Sequence, residues 1–157
     1  MDETNKKIYD LSPEEWVLAF MYAGNKNIVH GKLMFIKQFF IATKEIIPRL
    51  DEQFRFYPCN YGPYSRILAK TIENLIEEGY IKSKKHDDHL DFFLSDEGKK
   101  RSKECYEKLP QDIRDRLDRL RLSANQMGYT GILRYVYTRY PSYASASKIR
   151  EDVGNDL

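Results

Sequence analysis

Residues 63–94 read PYSRILAKTIENLIEEGYIKSKKHDDHLDFFL, and two different periodicities meet inside them. From about Pro63 to Glu78 the apolar residues recur at helical spacing. Leu68, Ala69, Ile72, Leu75 and Ile76 share one face, while Arg66, Lys70, Glu73, Asn74 and Glu77 fall in an opposite arc of roughly 100°. Gly79 suits the left-handed cap that ends such a helix. Tyr80–Ser83 and Leu90–Leu94 are then short apolar-rich segments around the polar run Lys84–His89, which predicts a β-hairpin with a solvated tip.

The flanking sequence adds three more helices. Ser12-Pro13-Glu14-Glu15 combines a capping serine, a first-turn proline and the glutamate of a capping box. The helix it opens, about 12–24, is apolar almost all round through Trp16, Val17, Leu18, Phe20 and Met21, as a buried helix is. Gly31 to about Lys44 forms the second helix, and Pro48 prevents its continuation. Phe54-Arg55-Phe56-Tyr57 alternates and predicts a short strand; Gly62, preceding Pro63, is pushed toward an extended conformation. Ser95-Asp96-Glu97-Gly98 opens a helix to about 108. Helix, helix, helix, hairpin, helix is the order of a winged helix-turn-helix. The expected class is therefore mainly α with a small β-hairpin (α+β), as a winged-helix domain over 10–109.

Pro110 starts a helical extension, 110–157. Gln111 to about Met127 is a charged helix whose apolar residues Ile113, Leu117, Leu120, Ala124 and Met127 make one narrow seam. That seam predicts a homodimer contact, with folding back onto the first helix as the alternative. Gly128–Gly131 predicts a turn, Ile132–Tyr140 a further helix stopped by Pro141, and Ser145 a cap on a last short turn.

The chain has 157 residues, 41% of them apolar and 32% charged, with 12 Tyr and 8 Phe. A chain of this length buries roughly 68–70% of its unfolded surface, so it folds without disulfides or metals. Cys59 and Cys105 stand alone and are expected as buried thiols, and the polar start MDETNKKIYD carries no targeting pattern. No apolar run approaches the ~20 residues of a membrane span, which points to the cytoplasm. With 26 basic and 24 acidic residues the net charge is +2, so a nucleic-acid reading rests on where the charges sit.

They sit in two places. Arg66 and Lys70 lie at the N-terminal end of the third helix, beside Tyr64 and Ser65, with Asn74 one turn further on. Free amides and the helix dipole at that end favour a phosphate or a base edge. Lys82, Lys84, Lys85 and His86 populate the hairpin, where backbone contacts beside a groove are made. These nine residues are the expected contacts to double-stranded DNA, and the expected function is transcription regulation. Glu73 and Glu77 repel phosphate and favour the alternative, a module that binds a partner protein. Catalysis is not expected: there is no phosphate-binding glycine loop, no serine elbow and no zinc-protease motif. His86 and His89 on a hairpin without cysteine make a poor metal set, His30 suits a surface position, and nothing asks for a cofactor.

The stretch Phe56–Ile81, FYPCNYGPYSRILAKTIENLIEEGYI, resembles YwgA-like proteins and, more distantly, the Panacea domain of SocA-like antitoxins. The shared features are the helix led by Lys32-Leu33-Met34, an aromatic strand, Tyr-Gly-Pro-Tyr-Ser and a helix closing in Gly-aromatic-Ile. LSDEGKK after the hairpin and the tail ILRYVYTRYPSYASASKI are similar as well. The resemblance touches residues 28–150 and implies a winged-helix-like fold in toxin–antitoxin, phage or host-defence settings.

Overall fold

The computed structural model describes residues 11–60 and 62–144. Helix α1 (Pro13–Tyr22) starts on the expected capping box: Ser12 Oγ accepts from the Glu15 amide at 3.2 Å, and Glu15 Oε1 accepts from the Ser12 amide at 3.1 Å. Trp16 to Met21 are all buried, because the helix is enclosed between its neighbours. Gly24, at φ 71°, turns the chain within a short 3-10 turn at Ala23–Asn25 that leads to strand β1 (Ile28–His30). Helices α2 (Lys32–Glu45) and α3 (Leu50–Phe54) follow.

Next come two paired strands, β2 (Tyr57–Cys59) and β3 (Gly62–Tyr64), then helix α4 (Arg66–Glu77). Strands β4 (Ile81–His86) and β5 (His89–Leu94) form the hairpin, and helix α5 is Asp96–Glu107. Helix α6 (Gln111–Arg139) is interrupted at Gly128, and α7 is Pro141–Ala144. The larger sheet is antiparallel in the order β1-β5-β4, so the architecture is mostly helical with a small sheet and a separate two-stranded ribbon. Among the described residues, no helix is long and apolar enough to cross a membrane.

Several expectations need correcting. The stretch from Phe54 to Tyr57 is not one strand: Phe54 closes α3, Arg55 takes a left-handed φ of 48°, and pairing starts only at Tyr57. Helix α4 begins at Arg66, because Gly62–Tyr64 are paired with β2. Gly62 has φ 96°, outside the range the following proline alone would select. The hairpin strands run on to a two-residue turn at Asp87–Asp88. The interruption of α6 is confined to Gly128, with helix resuming at Tyr129. Ser145 lies outside the described residues.

One apolar cluster joins the elements, and the segment after Pro110 shares it through Ile113, Leu117, Ala124, Ile132, Leu133 and Val136. The expected dimer seam is thus covered by its own chain, chiefly by α2 and the Ala23–Asn25 turn. Ile113, Leu117 and Ala124 are buried, Leu120 is half-buried, and Met127 alone of the five is exposed. Seam geometry of this kind serves intrachain and intermolecular packing equally, and here α2 supplies the partner face.

Gly98, in the first turn of α5, locks the sheet to the helices. Ser95 Oγ donates to Gly79 O at 2.6 Å and accepts from the Gly98 amide at 3.0 Å. A Cβ on Gly98 would stand 2.0 Å from Tyr80 O, a backbone atom that cannot rotate away. Gly98→Ala is expected to destabilise the protein by roughly 2 kcal/mol or more, as overpacking against fixed atoms does. Urea denaturation measures it; a change under about 0.5 kcal/mol would mean the backbone yields freely.

Candidate nucleic-acid interface

Ser65 starts α4. It is fully buried, its hydroxyl donates to Phe54 O, and its Oγ accepts from the Leu68 amide at 3.0 Å. As a DNA contact it is corrected: both hydrogen-bonding roles are taken inside, so Ser65 sets where the helix begins and does not face a ligand. The helix then sorts as its periodicity predicts. Leu68, Thr71, Ile72 and Leu75 are buried, whereas Arg66, Lys70, Glu73 and Glu77 are exposed and Asn74 is half-buried.

The ribbon β2–β3 places aromatic rings beside the start of that helix. Tyr57 and Tyr64 are register partners, with ring centroids 6.0 Å apart in an edge-to-face arrangement. Arg66 Nε donates to Tyr57 Oη at 3.1 Å, and its guanidinium carbon is 5.6 Å from the same ring's centroid. Lys32 Nζ lies 5.9 Å from the Tyr64 ring centroid. Lys32, Tyr64, Tyr57 and Arg66 therefore form a continuous cation–aromatic row at the N-terminal end of α4. Each contact holds a flexible cation against a π face, worth about 0.5–1 kcal/mol at an exposed site. Lys32 and Tyr57 were not among the expected contacts. The strand pairing Tyr57↔Tyr64 is what brings them in, and a ribbon of three-residue strands leaves no period to detect.

The remaining basic residues divide. Lys70 Nζ is 3.9 Å from Glu73 Oε2, an exposed pair that partly neutralises the middle of α4. On the hairpin, register partners share a face. Ile81/Leu94 and Ser83/Phe92 turn inward, since Ile81, Phe92 and Leu94 are buried, and Lys85/Leu90 continue that inner side. Lys82, Lys84 and His86 lie on the outer side, with Phe93, Asp91 and His89. The hairpin cations are thus not one patch: Lys82 and Lys84 point away from Lys85. His30 Nδ1 stands 3.0 Å and His89 Nε2 3.9 Å from Asp91 Oδ1, so the two histidines converge on one carboxylate.

Beneath the ribbon lies a buried cation that residue type does not foretell. Lys37 is 0% exposed, and its Nζ has no hydrogen-bond partner. Gly62 closes over it: a Cβ there would meet Tyr137 Cε1 at 3.0 Å and Lys37 Cε at 3.5 Å. Together with the φ of 96°, this explains the glycine of Tyr-Gly-Pro-Tyr-Ser. No protein-family model, curated protein or solved structure matches the chain.

Burial pushes the Lys37 ammonium down to about 8 from an ordinary 10.5, against an opposing pull from Cys59. The unfolded chain therefore holds this proton over a range in which the folded chain has released it. Stability rises with pH between about 8 and 10.5, and the cost of the buried charge is fully present below 8. Lys37→Met is expected to gain about 2 kcal/mol at pH 7, with the difference from the parent protein shrinking by pH 10. Paired denaturation curves at the two pH values check both the sign and the trend.

Proposed function

We propose that the chain is a winged-helix DNA-binding protein of the cytoplasm, acting in transcription regulation, with α4 as recognition helix and β4–β5 as wing. Two features of the fold support the reading. The order α1-β1-α2-α4-β4-β5, with a sheet ordered β1-β5-β4, would suit a winged helix with the short α3 and the β2–β3 ribbon inserted between its second and third helices. The observation that carries it is the row Lys32–Tyr64–Tyr57–Arg66, which presents two cations and two rings where α4 starts. A helix N-terminus bearing arginine is how such domains address phosphates and base edges. Lys82 and Lys84, on the outer side of the wing, supply backbone contacts.

A second reading is favoured by one observation: the C-terminal half of α4 exposes Glu73 and Glu77, and Glu73 engages Lys70. A partner protein with a basic face would suit that half, in keeping with the antitoxin-like resemblance of the Tyr-Gly-Pro-Tyr-Ser block.

Duplex binding separates the two. The protein is expected to bind mixed-sequence duplex DNA at 50 mM salt and to lose about tenfold or more at 200 mM. Lys82→Ala with Lys84→Ala should weaken binding to all sequences alike and lower the salt slope by about 0.9 for each phosphate no longer neutralised. Arg66→Ala should instead blunt sequence preference, and Tyr57→Phe should do so more mildly by releasing the guanidinium. Absence of duplex binding by the intact protein at 50 mM salt would falsify the DNA reading and leave the partner-protein one.

A further inference from the structure

A cavity of about 710 Å³ opens where three elements meet: the start of α2, the tip of the hairpin and the interruption of α6 at Gly128. Its size is that of a small-molecule site. Leu33, Met34, Leu90 and Ala124 give it apolar walls. Leu90 is 43% exposed, more than a leucine beside a closed core would be. Lys32 and Lys85 also line it, and neither has a carboxylate within ion-pair distance among the described residues. Lys85 reaches it because, unlike Lys82 and Lys84, it shares the inner side of the hairpin with Leu90. Gly31 precedes α2 without a side chain to cap it, so the amides of the first turn add to the positive field.

The opposing charges are few. Asp88 lines the cavity from the exposed turn, and Asp91, close by on β5, has His30 Nδ1 at 3.0 Å and His89 Nε2 at 3.9 Å, both histidines belonging to the lining as well. Gln38, nearly fully buried, adds a polar point to the lining, its Oε1 held by Arg121 Nη1 at 2.7 Å. Apolar walls with two ammonium groups that have no carboxylate within ion-pair distance among the described residues select a ligand with an apolar body and one negative charge.

We propose that this cavity binds a small amphipathic carboxylate, its hydrocarbon body against Leu33, Met34, Leu90 and Ala124 and its carboxylate between Lys32 and Lys85. A neutral analogue lacks the ion pairs, and a cationic one meets the lysines. The site shares Lys32 with the cation–aromatic row, but its ligand binding is measured without DNA.

Decanoate and decylammonium are matched probes of opposite charge, titrated into the full chain and followed by amide NMR shifts and calorimetry. Decanoate is expected to bind one to one, at least tenfold more tightly than decylammonium, with the largest shifts at Gly31, Leu90 and Gly128. Lys32→Glu with Lys85→Glu, both at exposed positions that leave the core intact, should abolish or reverse that preference. Leu90→Asp should weaken decanoate at least tenfold while the amide spectrum stays folded. Equal affinity for the two probes, shifts centred elsewhere, or no decanoate binding up to 1 mM overturns the proposal. Failure to bind duplex DNA leaves it standing, so the two readings fail separately.

Discussion

A guanidinium without access to water holds the C-terminal helices on the rest of the molecule. Arg121 is 0% exposed, and its Nη1 and Nη2 donate to Gln38 Oε1 of α2 and to Ile28 O of β1, each at 2.7 Å. Its planar group lies 4.9 Å from the ring centroid of Phe20 on α1. Taking a cation out of water costs several kcal/mol, and burial lowers its affinity for the proton to about 10, which still leaves it charged at neutral pH. The cost is offset only while all three partners are in place. A displaced α6 would leave a carbonyl, an amide and a buried charge unpaired at once. One turn earlier, Asp118 Oδ1 accepts from the Gly24 amide at 2.7 Å and its carboxylate from Tyr106 Oη at 2.8 Å. The register of α6 is therefore set by polar groups, and its apolar seam follows.

That register reaches the candidate interface through the second half of α6. Tyr135 and Tyr140 both donate to the Glu45 carboxylate at the end of α2, and burial with these bonds pushes the Tyr135 hydroxyl up to about 12. The stretch of chain held this way presents Tyr137 to Gly62. Only a glycine lets β3 pass so close. The position of β3 fixes the Tyr57–Tyr64 pair, and that pair holds Arg66 at the mouth of α4. A residue far from the interface in sequence thus governs the geometry of its arginine.

Much of the frame is legible in the sequence because local chemistry and tertiary packing agree there. Ser12 caps as its motif predicts, Trp16–Met21 are buried on all sides, and the inner face of α4 follows its period. The hairpin at 81–94 is present with the expected strand-forming residues. What escapes has two causes. Strands β1, β2 and β3 hold three residues each, too few for an alternation to be seen, so the ribbon and the first strand are invisible. Arg121 and Lys37 escape because residue type argues for the surface, and only the assembled fold supplies the environment that buries them. Ser65 misleads for a related reason. A serine before a basic helix serves equally as a cap or as a contact, and the choice depends on Phe54 O being beside it. The seam of α6 is plainly apolar in the sequence, yet nothing in its spacing says which helix lies opposite.

The hairpin shows how one small element faces two ways. Phe92 is its last inward residue resting on the core; Lys85/Leu90 and His86/His89 extend beyond it. An isolated two-stranded ribbon is only marginally stable in water, so that tip depends on what touches it. One backbone bond, Gly31 N–H to Leu90 O at 2.8 Å, ties it to the start of α2. The rest of the inner side borders the cavity. Filling the cavity adds apolar contact to Leu90 and neutralises Lys85, and both effects favour the tip held inward. Lys84 stands on the opposite side of the same strand, and its register partner Asp91 is itself paired with His30 of β1, so the part of the hairpin left to the cavity starts at Lys85/Leu90.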